Sequence, residues 1–300
     1  MRAVKESVHN SPGLSFCFQE RTEPLSYSWH FHEEYELTLI IRGSGRRFIG
    51  DEVTDYTDGD FVLIGPNIPH AYESDESILG EPCSTVIIQF GPELFTAGRP
   101  HSTEFRHIHR MLGKTSSGLE FDPATAASIL PLLREAERHS GLEKLLDFLG
   151  LMDTLATRGS WQTIAAHWTQ SANASVEHEG PREASEILQY VFANAGRRVT
   201  LQSLSGYAGK SVASLCRFFK RDLGCTFNEY LTRIRISQAC KLLIQTNLPI
   251  YSVSYESGFE NLSNFNRRFL KVKGMTPSAY RRLHRRASSD LRSVGLLAGG

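Results

Sequence analysis

The stretch from Ser211 to Tyr280 carries one arrangement of residues twice, fifty positions apart, and no other feature of the 300-residue chain constrains its fold as strongly. Leu215 matches Phe265, Arg217 matches Arg267 and Phe219 matches Phe269. Arg221 matches Lys271, Gly224 matches Gly274, Thr226 matches Thr276 and Tyr230 matches Tyr280. Ser211 and Asn261, both good N-cap residues, also align. Upstream, Ala208-Gly209 answers Ser257-Gly258 at forty-nine, so the two turns differ by one residue. Each copy reads as a short helix, a glycine turn and a capped second helix, the outline of a helix-turn-helix.

In the first copy Leu215, Phe218 and Phe219 form one buried stripe, with Ala213, Cys216, Arg217 and Lys220 opposite. In the second the stripe is Leu262, Phe265 and Phe269, leaving Ser263, Asn266, Arg267 and Lys271 outward. Small residues beside Arg or Asn suit a helix that enters a major groove and bonds to base edges. Between the copies Thr226-Phe-Asn-Glu229 is a capping box opening a long amphipathic helix to about Gln245. Its span of roughly 30 Å approaches one turn of duplex, so double-stranded DNA fits as the partner. Pro249 and Pro277 mark two further helix starts.

Charge agrees. Residues 1–180 hold 14 Lys and Arg against 26 Asp and Glu, whereas residues 181–300 hold 19 against 7, although the whole chain sums to zero. A basic half this size is the footprint of a polyanion binder. With 40% hydrophobic and 22% charged residues the chain is globular, and no apolar run approaches the roughly 18 residues of a membrane span. The first thirty residues lack an apolar core of a signal peptide, so the expected location is cytoplasmic. Five cysteines without a C-x-x-C pair read as reduced thiols. There is no phosphate-binding loop and no nucleophile elbow, and no enzyme activity is expected.

The segment Glu183 to Arg286 resembles the DNA-binding domain of the AraC/XylS family of bacterial transcription regulators. The resemblance rests on Leu-Ser-Gly-Tyr-Ala-Gly-Lys-Ser (204–211), Arg217-Phe-Phe-Lys220, Gly258-Phe-Glu-Asn261, Phe265-Asn-Arg-Arg-Phe269 and Gly274-Met-Thr-Pro-Ser-Ala-Tyr-Arg281. It departs at Ser205, where alanine is usual, and at Lys210, where an apolar residue is common. It implies base reading by Ala213, Cys216 and Arg217 in one unit and Leu262, Ser263, Asn266 and Arg267 in the other. Lys220, Arg221, Arg268 and Lys271 are expected on phosphates, which position without reading sequence. RNA polymerase and a promoter, usually activated, come with the family.

The acidic half shows strand-like runs at Leu14–Phe18, Leu37–Ile41, Arg46–Ile49, Phe61–Ile64 and Thr85–Phe90, separated by turn residues, the spacing of a sandwich or barrel. His30-Phe-His32, Glu36 and Gly43, then Gly59, Pro66 and His70, resemble the paired motifs of the cupin superfamily, which often precedes the AraC/XylS DNA-binding domain. Gly65, Asn67 and Ser74 depart from the second motif. Three imidazoles and a carboxylate can hold a divalent transition metal. The same four residues can instead line a polar pocket for a small organic effector, walled by Trp29, Tyr35 and Arg46, or be strand histidines lining nothing. The departures weigh against a cupin metalloenzyme fused to the DNA-binding half.

From Asp122-Pro123 the period becomes helical. Ile129, Leu132 and Leu133, then Leu142, Leu145, Leu146, Leu149 and Leu155, mark two amphipathic helices, either a homodimer contact through residues 124–158 or a cover for the barrel. The expected architecture is multidomain α+β. A cupin-like β-barrel with two following helices occupies residues 1–168 and a polar linker residues 169–182. An all-α domain of two helix-turn-helix units joined by a long helix takes residues 183–286, and a frayed tail residues 287–300.

Overall fold

A computed structural model describes residues 4–5, 15–25, 29–75, 83–95, 103–164 and 181–284. The chain divides into two compact units, a β-rich one made chiefly of residues 5–49 and 54–173 and a helical one made chiefly of residues 174–300. Among the described residues no helix is long and apolar enough to cross a membrane.

The β-rich unit contains β1 (Val4–Lys5), β2 (Phe16–Arg21), β3 (His30–Phe31), β4 (Tyr35–Arg42), β5 (Gly45–Ile49), β6 (Glu52–Tyr56), β7 (Phe61–Ile64), β8 (His70–Ser74) and β9 (Ser84–Phe90). Then come α1 (Arg106–Leu112), β10 (Leu119–Phe121), α2 (Pro123–Arg138), α3 (Gly141–Arg158) and β11 (Trp161–Thr163). Two sheets form, in the orders β1-β3-β8-β5-β6 and β11-β10-β7-β4-β9-β2. The strand expected at Leu14–Phe18 runs instead from Phe16 to Arg21, and Leu14 lies outside the described residues. β6 and β8, too polar to announce themselves, were not expected.

The larger sheet is covered on both faces, which is why β7 reads Phe-Val-Leu-Ile without a polar residue. Leu37, Leu39, Phe61, Leu63, Val86, Ile88 and Phe90 point to one core shared with Ile108, Met111, Ile129, Leu133, Phe148, Leu151 and Leu155 of the helices. Ile40, Val62 and Ile64 point the other way, into a core shared with Ile49, Tyr56 and Tyr72 of the smaller sheet. Asp122 caps α2 by accepting from the Thr125 amide, and Pro123 takes the first helical position, as the sequence indicates.

One buried arginine ties the sheets together. Arg47 on β5 donates from Nη1 to Asp60 Oδ1 at 2.7 Å, from Nη2 to Glu120 Oε1 on β10 at 2.6 Å, and from Nε to Thr54 Oγ1 at 3.3 Å. Burial pushes the Asp60 carboxyl up to about 6, against the pull of Arg47.

The helical unit contains α4 (Pro181–Asn194), α5 (Leu201–Ala208), α6 (Val212–Asp222), α7 (Phe227–Gln245), α8 (Ile250–Glu256), α9 (Leu262–Lys273) and α10 (residues 277–284). Of the expected linker, residues 169–180 lie outside the described residues and residues 181–182 already belong to α4; the expected tail, residues 287–300, also lies outside them. The repeat is realised residue for residue. Ser211 accepts from the Ser214 amide and Asn261 from the Asn264 amide, while Gly224 and Gly274 both take left-handed backbone, at φ 63° and 69°. Phe219 meets Tyr230 with ring centroids 5.6 Å apart, and fifty residues on Phe269 meets Tyr280 at 5.4 Å. The second turn is one residue longer, and the buried Phe259 after its glycine, where the first unit has Lys210, places its ring 5.1 Å from Phe265. α7 is not simply two-faced: it packs against α4, α8 and α9, so apolar residues such as Ile234, Ile236 and Cys240 are buried on several sides.

Candidate functional site

In the β-rich unit the strands bring His30, His32, Glu36 and His70 into one cluster whose ligand atoms all lie within 4.8 Å of one another. Register does this. His30 on β3 is directly opposite His70 on β8, and Glu36 lies on β4 opposite Gln89 of β9. All four are buried. The ring centroids of His30 and His70 are 4.2 Å apart and those of His32 and His70 5.0 Å.

Backbone carbonyls set two tautomers. His70 Nδ1 donates to the Ile68 carbonyl at 2.8 Å and His32 Nδ1 to the Glu34 carbonyl at 3.1 Å. A carbonyl only accepts, so both Nδ1 atoms carry protons and both Nε2 atoms face the cluster, the outer hydrogen bonding usual for metal-ligating histidines. His32 Nε2 lies 3.0 Å from Glu36 Oε2; His70 Nε2 is 3.6 Å from Glu36 Oε1 and has no hydrogen-bond partner among the described residues. Burial drives the Glu36 carboxyl upward, yet His70 and His32 outweigh it and hold it well below the usual carboxylate range. Burial, then the neighbouring His30, lowers His70 below the ordinary imidazole value. A carboxylate thus faces imidazole nitrogens in a buried cluster, and this donor set suits a divalent transition metal.

Two of the three expected wall residues face elsewhere. Tyr35 precedes Glu36 by one residue and so turns to the opposite face of β4, where it stacks on Phe90 at 5.2 Å and packs against the helix-side core. Arg46 likewise turns away from the face of β5 that neighbours His70, and pairs with Asp55 at 3.0 Å. Trp29 is buried beside His30 in the chain. Sequence reasoning missed two site residues, Thr38, which donates to Glu36 Oε1 at 2.8 Å, and Gln89, whose amide donates to Glu36 Oε2 at 2.9 Å. Thr38 was within reach, two residues from Glu36 on one strand. Gln89 is fifty-three residues away, and only the register brings it in.

In the helical unit Ala213, Cys216, Arg217, Lys220 and Arg221 are all exposed on α6. On α9 Leu262, Ser263, Asn266, Arg267 and Lys271 are exposed and Arg268 is half-buried. Leu262 leaves the expected buried stripe, because its place at the start of α9 lies outside the core that Phe265 and Phe269 share with Phe259. Arg267 Nη2 donates to Asn264 Oδ1 at 3.1 Å, one turn earlier, which holds the guanidinium along the exposed face.

Residues 204–283 match the family described as a helix-turn-helix domain, and residues 13–149 the family described as an AraC-like ligand binding domain. The chain is 33% identical over 97 residues to the HTH-type transcriptional activator AarP of Providencia stuartii, covering 32% of this chain and 72% of that one. It is 25% identical over 299 residues to the HTH-type transcriptional activator RhaR of Klebsiella pneumoniae, covering 95% and 98%. Among solved structures, the C-terminal domain of AraT, a response regulator from Geobacillus stearothermophilus, is similar at 31% identity over 34% of this chain and 84% of that one, with a TM-score of 0.33.

Proposed function

This chain belongs to the AraC/XylS family of transcription regulators, and from that premise we propose that its small effector is a divalent transition-metal ion held by His30, His32, Glu36 and His70. The protein is a DNA-binding transcription regulator. The observation that carries the effector assignment is the cluster itself, with four donors inside 4.8 Å and the outer nitrogens of His32 and His70 already committed to carbonyls. Ile49 opposite His70 and Ile64 opposite Glu36, both buried, close in on the cluster and favour an ion over a larger organic molecule. His30, His32, Glu36 and His70 would hold the ion between β3, β4 and β8, where it would supply positive charge to the buried carboxylate; no catalytic step is assigned to it.

Elemental analysis of the purified full chain after dialysis against Zn(II) and removal of excess metal tests this. One equivalent of zinc, lost in a His30→Ala/His70→Ala variant, is the expected result. A zinc-free wild type overturns the assignment and points to an organic effector.

On the DNA side, Ala213, Cys216, Arg217, Leu262, Ser263, Asn266 and Arg267 are the proposed base readers, with Lys220, Arg221, Arg268 and Lys271 on phosphates. The regulator acts in the cytoplasm as an activator that meets RNA polymerase at its promoters; run-off transcription from an operator-bearing template, with and without the protein, reads this, and unchanged transcript sinks it.

The helices α2 and α3 spend only part of their apolar surface on the sheet. Ile129, Leu133 and Leu155 are buried, but Leu132, Leu142 and Leu146 are exposed by 38%, 70% and 57%. That remainder is the proposed homodimer contact. Sedimentation equilibrium at micromolar concentration should give twice the chain mass, and a monomer there overturns the dimer.

A further inference from the structure

Gln89 has the placement of a site residue although no motif contains it. Directly opposed residues in an antiparallel pair project to the same face, so the Glu36 and Gln89 side chains lie together toward the histidines. Gln89 is buried, its amide nitrogen 2.9 Å from Glu36 Oε2 and 3.5 Å from His32 Nε2. Thr38 holds the other oxygen, Oε1, at 2.8 Å. A glutamate carboxylate turns easily about its last bond, and two neutral donors on opposite oxygens remove that freedom. They do so without competing for the cation, because an amide NH₂ and a donated hydroxyl proton offer it no lone pair.

We infer that Gln89 is a positioning residue of the cation site, fixing Glu36 Oε2 so that the carboxylate plane stays turned toward the His30, His32 and His70 nitrogens. This rests on the reading of the four residues as a cation site. Gln89 is not itself a ligand; it acts through Glu36.

The probe is Co(II), titrated into the full-length wild type, Gln89→Leu and Gln89→Asn and followed by its visible d–d absorbance, with thermal unfolding of each metal-free protein alongside. Outer partners of metal ligands typically contribute 10–100-fold to affinity. Gln89→Leu is therefore expected to weaken Co(II) binding about 10–100-fold and to change the saturated Co(II) spectrum, while the metal-free protein still unfolds cooperatively, short only of one hydrogen bond to Glu36. Gln89→Asn, which keeps the amide on a shorter stem, should fall between. Wild type that binds no Co(II) overturns the cation site, and the role of Gln89 with it. Wild-type binding matched by Gln89→Leu within twofold, with the same spectrum, overturns the Gln89 role alone. Weaker binding with an unchanged spectrum and a lowered metal-free transition also overturns it, since that is the signature of a residue that only supports the strand.

Discussion

Replacing Arg47 with methionine is expected to lower the unfolding free energy of the β-rich unit by about 3–5 kcal/mol, the cost of removing one partner from a buried ion pair. Arg47 is 1% exposed and faces two carboxylates, Asp60 beside β7 and Glu120 on the adjacent strand β10. Methionine fills much of the space but leaves Asp60 buried without its cation. The penalty should therefore be largest at pH 8 and shrink toward pH 5. Asp60 already titrates near 6 in the folded protein. An acid whose folded pKa is raised binds more protons folded than unfolded between its two values, so stability from it grows as pH falls through that window. Without Arg47 the folded value rises further, and protonation relieves the isolated charge sooner. Adding Asp60→Asn should restore part of the loss. Urea denaturation of the full chain reads all three proteins; a loss below about 1 kcal/mol at pH 8, as for an exposed pair, would show that Arg47 is not holding the sheets together.

Arg217→Ala and Arg267→Ala should each weaken binding to the cognate operator by about 1–3 kcal/mol and relax the requirement at one base pair, because a bidentate contact to a base edge discriminates by that much. Lys271→Ala should instead weaken binding to every duplex alike and reduce the steepness of the salt dependence by about one phosphate contact. Arg267 should show the sharper loss of specificity, since Asn264 restrains its guanidinium before DNA arrives; the residues one turn before Arg217 are Ala213 and Ser214, which offer no amide oxygen to do the same. Fluorescence anisotropy with operator and random duplexes separates the classes. Equal losses on both duplexes for the arginine variants would move Arg217 and Arg267 from base edges to phosphates.

Why the helical unit was so much more legible than the barrel follows from where the information sits. A helix-turn-helix is written locally: Ser211 and Asn261 cap within three residues, the left-handed glycines stand at the turns, and Phe219 with Tyr230 is only eleven positions apart. The barrel is written across distance. Its histidine–carboxylate cluster could be named because the two histidine motifs have characteristic spacing, and the four side chains do come together. Face assignments failed by a single residue each time. Arg46 and Tyr35, expected as pocket walls, each sit one residue from a side chain on the interior face, Arg47 on β5 and Glu36 on β4. A period of two gives no tolerance: an error of one residue reverses the face. Gln89 could not be found at all, because nothing short of the β4–β9 register says that it opposes Glu36.

That alternation also divides the labour on β4 by parity. The odd positions Tyr35, Leu37 and Leu39 belong to the packing that seats the helices, while the even positions Glu36, Thr38 and Ile40 face the barrel interior. One strand therefore carries two independent vocabularies, and the even letters can be respelled for a different ligand without disturbing a word of the odd ones. A single scaffold of this kind can diversify in what it detects while what it holds in place stays the same.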